Sequence, residues 1–196
     1  MANINTPLGF KPNRSADGRD FNEATNTYPI ASGYGTSIFV GDAVKLVSGK
    51  IQKAAPGDQI VGVAAGFKWI QASGLPSYAF FSYWPAGTAT FAGQDGEVLV
   101  IDDPNLMFEA VFTNSTSVPS QADVGSFFNH IDVGGNPSSG LSGEGIDYTT
   151  KTATAASGVW RFVGFVARPD NDKTSAYSRG LFVPTKHNLR ANSGAA

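Results

Sequence analysis

From residue 36 onward, short runs of β-branched and aromatic residues recur, each closed by a glycine, a proline or an Asp/Asn turn. Strand-length runs with this punctuation, and few segments of helical period, restrict the chain to an all-β fold, an antiparallel β-sandwich or barrel. Thr36–Val40 ends at Gly41-Asp42, and Ala43–Val47 turns through Ser48-Gly49 into Ile51–Lys53. That connection suits a tight hairpin, because glycine accepts the positive φ such turns need. Gln59–Lys68 reads as a long strand whose Gly62, Ala64, Ala65 and Gly66 suggest a bulge or a close backbone approach. Thr88–Phe91, Glu97–Ile101, Leu106–Thr113, Val159–Ala167 and Gly180–Pro184 supply further strands.

Three stretches stand apart from this pattern. Residues 1–35 carry prolines, glycines and the spaced apolar residues Leu8, Phe10, Phe21, Tyr28 and Ile30, which predicts an extended N-terminal arm lying on another surface. Residues 36–184 form a single β domain, within which 114–158 is a long Gly/Ser-rich middle insertion containing one short helix from Gln121 to about Asn129. Residues 185–196 read as a fraying tail with Lys186, His187 and Arg190 in solvent. Between 78 and 84 five aromatics crowd together: Tyr78, Phe80, Phe81, Tyr83 and Trp84. A core strand, a subunit interface and a ligand-stacking face all use such clusters.

Composition narrows the function classes. With no cysteine the chain has no disulfide framework, thiol nucleophile or Cys-ligated metal. The formal charge of −2 carries no basic excess, so direct nucleic-acid binding is not expected. The N-terminus lacks the features of a signal peptide and no apolar run approaches a membrane span, which predicts a protein made in a cytoplasm-like compartment and without a membrane partner. Only 15% of residues are charged while 12% are aromatic, a surface kept soluble by small polar residues or covered by other chains.

Reactive constellations are scarce. His130 and His187 stand in a Gly/Ser-rich segment and in the tail. Gly140-Leu141-Ser142-Gly143 approaches a nucleophile elbow, but Glu144 stands where its second glycine belongs. Asp170–Ser175 begins like a calcium loop and then lacks its later ligands and its glycine. Asp102-Asp103 reads as a solvated turn, and Glu97 with Glu109 is a formal carboxylate pair only. No catalytic, cofactor or metal site is expected, and the chain reads as an assembly component rather than an enzyme.

Three segments together resemble the capsid cement, or decoration, proteins of tailed bacteriophages. They are the opening Ala2–Pro12; Phe39-Val40-Gly41-Asp42-Ala43-Val44 with Ala54–Asp58 and Ile60–Val63; and Arg161–Val166 with Arg168-Pro169-Asp170-Asn171 and a closing strand near His187-Asn188. The resemblance implies a virion structural protein seated on the capsid exterior as a homo-oligomer, a trimer being favoured, with the major capsid protein as partner. It implies stabilisation of capsomer junctions and no cofactor. On that reading Leu8, Phe10, Lys11 and Phe21 are partner contacts of the arm, and Tyr78, Phe80, Phe81, Tyr83 and Trp84 are intersubunit packing. A receptor- or carbohydrate-binding β module, and a head–tail connector or minor tail subunit, are the alternatives.

Overall fold

A computed structural model describes residues 3–73, 77–114 and 118–190. Fourteen strands form among these residues, and the only helical elements are two single 3-10 turns, at Phe91–Gly93 and Gln121–Asp123. The all-β expectation therefore holds. The helix expected from Gln121 is one turn, capped reciprocally by Ser120 and Asp123, after which the chain becomes a strand.

Five strands close into a barrel: β10 (Leu106–Thr113), β12 (Ile146–Thr152), β11 (Phe127–His130), β13 (Trp160–Phe165) and β14 (Arg179–Pro184), which pairs back to β10. All pairings are antiparallel except β10 with β12. Every residue of β10 is buried, and its inward side chains Leu106, Phe108, Ala110 and Phe112 join the barrel core. Phe112 is the hub. Its ring meets Phe128, Phe162 and Phe182 edge-on at 5.4, 5.1 and 5.1 Å, the arrangement that opposes ring edges to ring faces.

A second sheet runs β2 (Asn26–Ile30), β9 (Gly96–Ile101), β6 (Gly62–Ile70), β4 (Ala43–Val47) and β5 (Lys50–Lys53), with β7 (Tyr78–Phe81) added to the far end of β6. β4 and β5 form the expected hairpin, with φ +50° at Ser48 and +77° at Gly49. The small residues of β6 mark a register shift against β9 between Ala64 and Gly66. A two-stranded ribbon, β3 (Ile38–Phe39) with β8 (Tyr83–Trp84), caps this sheet's core of Ile30, Val44, Ile51, Phe67, Trp69, Val98 and Val100. Trp84 fits there because position 96 is glycine; a Cβ at Gly96 would lie 2.5 Å from the indole.

Two expectations about organisation are corrected. The first is the N-terminal arm, which is woven into both sheets. β1 (Lys11–Ser15) extends the barrel sheet alongside β10, and β2 edges the second sheet through β9. The extended character read from the prolines is real, but the backbone groups it exposes are satisfied within the same chain. The second is the Gly/Ser-rich insertion, which carries two barrel strands, β11 and β12, on its apolar points Phe128, Ile146 and Tyr148. Its Asn114 is described, but the adjoining 115–117 lie outside the described residues, as does the tail's end at 191–196.

Phe10 decides how the two halves meet. It is 1% exposed, lies flat on Trp160 at 4.0 Å, and shares a core with Ala43, Val63 and Ile101 of the second sheet and with Ala54 and Ile60 of the β5–β6 loop. Truncating a buried Phe removes both transfer energy and packing, so Phe10→Ala should cost about 3–5 kcal/mol in a denaturant titration. A stability equal to the parent protein's would contradict this placement.

Candidate functional site

Four of the residues singled out at the N-terminus converge on one feature. Leu8, Phe10, Lys11 and Phe21 line an open groove of about 370 Å³, completed by Pro12, Val40, Ala64, Ala65, Ile101 and Leu141, with Glu23 and Thr25 also lining it. Its wall is mostly apolar because β6 offers alanines where the N-terminal segment crosses. Of the four, Lys11 is exposed and Leu8 and Phe21 are half-buried, so these three remain open to a partner. Phe10 is corrected as a partner contact, since its ring is consumed by Trp160.

The aromatic cluster divides across two faces. β7 pairs with β6 in the register Tyr78↔Ile70, Ala79↔Trp69, Phe80↔Lys68 and Phe81↔Phe67. Side chains alternate along a strand, so Phe81 turns inward and stacks on Trp69 at 3.5 Å while Tyr78 and Phe80 turn outward. Tyr78 is 57% and Phe80 73% exposed. Lys68 Nζ lies 4.8 Å from the Tyr78 ring centre and pairs with Glu97 at 2.7 Å. Tyr83 stacks on Phe39 at 5.0 Å and is half-buried, whereas Trp84 is fully buried and is corrected as an intersubunit residue. Among the described residues β7 is paired on one side only, and its sequence YAFF contains none of the charges or prolines that usually blunt an edge.

A buried ionic cluster was not foreseen. Lys53, at the end of β5 and 6% exposed at its side chain, points its ammonium at three carboxylates: Asp132 at 2.9 Å, Glu144 at 3.4 Å and Asp42 at 3.6 Å. It also donates to the Val133 carbonyl at 3.1 Å. Glu144 Oε2 accepts the Ala43 N–H at 3.0 Å, and Asp42 Oδ2 accepts the Phe39 N–H at 2.8 Å. Burial, then the charge of Asp42, pushes Glu144 well above the ordinary glutamate range. Burial likewise raises Asp42, against the pull of Lys53. Burial would lower Lys53, but the surrounding carboxylates hold it above its ordinary value. The cluster ties the loop between β11 and β12 to the β4–β5 hairpin. Glu144 was visible only as the residue that spoiled a serine motif, and nothing in its spacing names Lys53 as its partner.

The remaining polar candidates are occupied structurally. His130 is buried; its Nε2 faces the Ala54 carbonyl at 3.2 Å and its Nδ1 accepts from the Trp160 indole at 3.4 Å, which assigns the neutral Nε2–H tautomer. His187, expected in solvent, is fully buried beside Ile60, and burial lowers its pKa to about 4. Asp102 is also corrected from a solvated turn: it is buried and accepts from Asn26 and from the Tyr28 hydroxyl at 2.6 Å. Glu109 is held by Arg168 and Arg179 in the barrel sheet, and Glu97 stands in the other sheet, so the two are not a facing pair. Among the described residues no group of three or more His, Asp or Glu side chains is placed to hold a metal ion.

Comparison of the chain with protein-family models, with curated proteins and with solved structures gives no match.

The charge cluster carries a pH signature. Above the ordinary glutamate value of 4.5 the unfolded chain has lost the Glu144 proton while the folded chain keeps it. The folded state then binds more protons, so this group's contribution to stability falls as pH rises from about 4.5 through the raised folded value. The buried histidines slope the other way, and the difference between wild type and Glu144→Gln removes them. Urea titrations should show the wild type's advantage over Glu144→Gln greatest below about pH 4.5 and shrinking toward neutrality. A pH-independent difference would refute the buried, protonated Glu144.

Proposed function

We propose that this chain is a non-enzymatic virion structural protein of the capsid cement type, binding the outside of a major-capsid lattice as an oligomer, a trimer being favoured, and stabilising capsomer junctions. On this reading it is made in the host cytoplasm and ends on the capsid exterior. The observation that carries the reading is the uncharged aromatic edge strand β7, with Tyr78 and Phe80 exposed beside backbone groups that no described strand pairs. An edge left so sticky is an aggregation hazard for a free monomer and an asset for a chain that ends covered. The open apolar groove lined by Leu8 and Phe21 is a second surface of the same kind. The described histidines and the buried carboxylates are engaged in holding the fold. Many copies on a lattice turn modest contacts of this sort into firm attachment.

The test is occupancy on shells assembled without this protein. Tyr78→Ser with Phe80→Ser removes two outward rings and no core contact, so the variant should fold as the parent does. Its affinity for the shells should fall at least tenfold, the scale of losing central aromatic anchors. Unchanged occupancy would count against the β7 surface.

A second reading has one observation in its favour. Tyr78 and Phe80 share a solvent face with Lys68 and Glu97, an aromatic platform flanked by polar groups of the kind that stacks on sugars. Glycan binding lost in the same double variant, with no attachment to shells, would favour the receptor- or carbohydrate-binding module.

A further inference from the structure

We propose that Lys53 and Asp132 are the two ends of an intramolecular isopeptide bond that the folded chain forms by itself, with Glu144 as its proton donor. This inference is independent of the capsid reading.

The Lys53 amine and the Asp132 carboxylate are in contact at 2.9 Å although they lie far apart in the chain, one on β5 and one in the loop between β11 and β12. The amine is 6% exposed and its position is fixed by the Val133 carbonyl. Glu144, fully buried, brings Oε1 to 3.4 Å from the same nitrogen, and that oxygen has no hydrogen-bond partner. Asp42, also fully buried, stands at 3.6 Å. Asp132 is 52% exposed at its side chain, which leaves its outer oxygen a path to solvent. A nucleophile, an acyl group, an acid and a proton acceptor are thus held together, the condition under which proximity replaces a large part of an activation barrier.

The chemistry balances without any co-reactant. Lys53 rests as an ammonium, and Asp42 takes one of its protons, forming a neutral amine and a neutral acid. Burial raises Asp42 and so favours its taking the proton, while the surrounding carboxylates hold Lys53 above its ordinary value and make this the slow step. As the Glu144 acid shares its proton with an Asp132 oxygen and neutralises that carboxylate, the Nζ lone pair adds to Asp132 Cγ. Glu144, kept protonated by burial, gives its proton to the departing oxygen of Asp132. The C–O bond breaks, the nitrogen gives up a further proton, and water leaves. The amide nitrogen keeps one hydrogen, water carries two, and the last stays on the Asp42–Glu144 pair, so the cluster's net charge is unchanged. Because the resting amine is protonated, the bond forms slowly after folding.

Asp132 is the acceptor rather than its neighbours for two reasons. It is the closest carboxylate to the amine, and Glu144 and Asp42 each have an oxygen committed to a backbone N–H. The product would close a covalent loop of about 80 residues in a chain that has no cysteine, and a long closed loop restricts the unfolded state most.

The experiment is intact-mass spectrometry of the full chain, read at purification and again after prolonged incubation at neutral pH, with peptide mapping of the digest. The expected result is a mass lower than the sequence requires by one water, and a branched peptide joining Lys53 to Asp132. Lys53→Arg keeps the charge but should abolish the loss, as should Asp132→Ala. Glu144→Gln should slow the loss at least tenfold in protein shown to be folded by circular dichroism. An unmodified mass at both times in folded wild-type protein overturns the proposal. A branched peptide joining Lys53 to Glu144 or Asp42 overturns the assignment of Asp132, and an undiminished rate in Glu144→Gln overturns the role of Glu144.

Discussion

The stacking of Phe10 on Trp160 is the contact on which the rest of the architecture turns. A five-stranded barrel encloses little more than its own side chains, and here Phe108, Phe112, Phe128, Phe162 and Phe182 fill it. The second sheet has its own core around Phe67, Trp69 and Trp84. Phe10 belongs to the barrel-side core, where it meets apolar residues of both halves, and carries the N-terminal segment in with it. Once that ring is seated, Lys11–Ser15 is delivered to the edge of β10, and the groove beside Leu8 and Phe21 is left as the gap between the crossing segment and β6. The fold and the open surface are thus consequences of one placement.

Much of the strand pattern was legible because it rests on local chemistry. Ser48-Gly49 needed positive φ and turned a hairpin; the small residues of β6 allowed a bulge; Tyr78–Phe81 alternated faces as a strand must. What was hidden depended on distant partners. Nothing near Phe10 announces that its neighbour is Trp160, and without that knowledge a proline-spaced polar segment reads as an arm. β11 and β12 were hidden for a related reason: their few apolar residues suffice only because the barrel supplies the opposing rings. His187 and Asp102 look like surface residues until Ile60 and Tyr28 are brought to them. The Lys53 cluster was the least readable feature, since four charges from separate segments meet there without a shared motif.

The distribution of charge links structure to the proposed role. A chain with 15% charged residues has few side chains with which to keep a surface wet, and several of those are drawn inside, around Lys53 and Glu109. The outside carries small polar residues and apolar areas that include the groove and the β7 edge. Such a surface suits a molecule that is rarely alone. The same economy explains why burial, rather than a reactive arrangement, dominates the environment of both histidines.

Hydrogen–deuterium exchange of the protein free and bound to empty shells tests that central idea most directly. The account predicts strong protection on binding at β7 and along the segment around Leu8, with the barrel strands unchanged. Failure to bind shells, or protection confined to the barrel with β7 exchanging as freely as before, would contradict it.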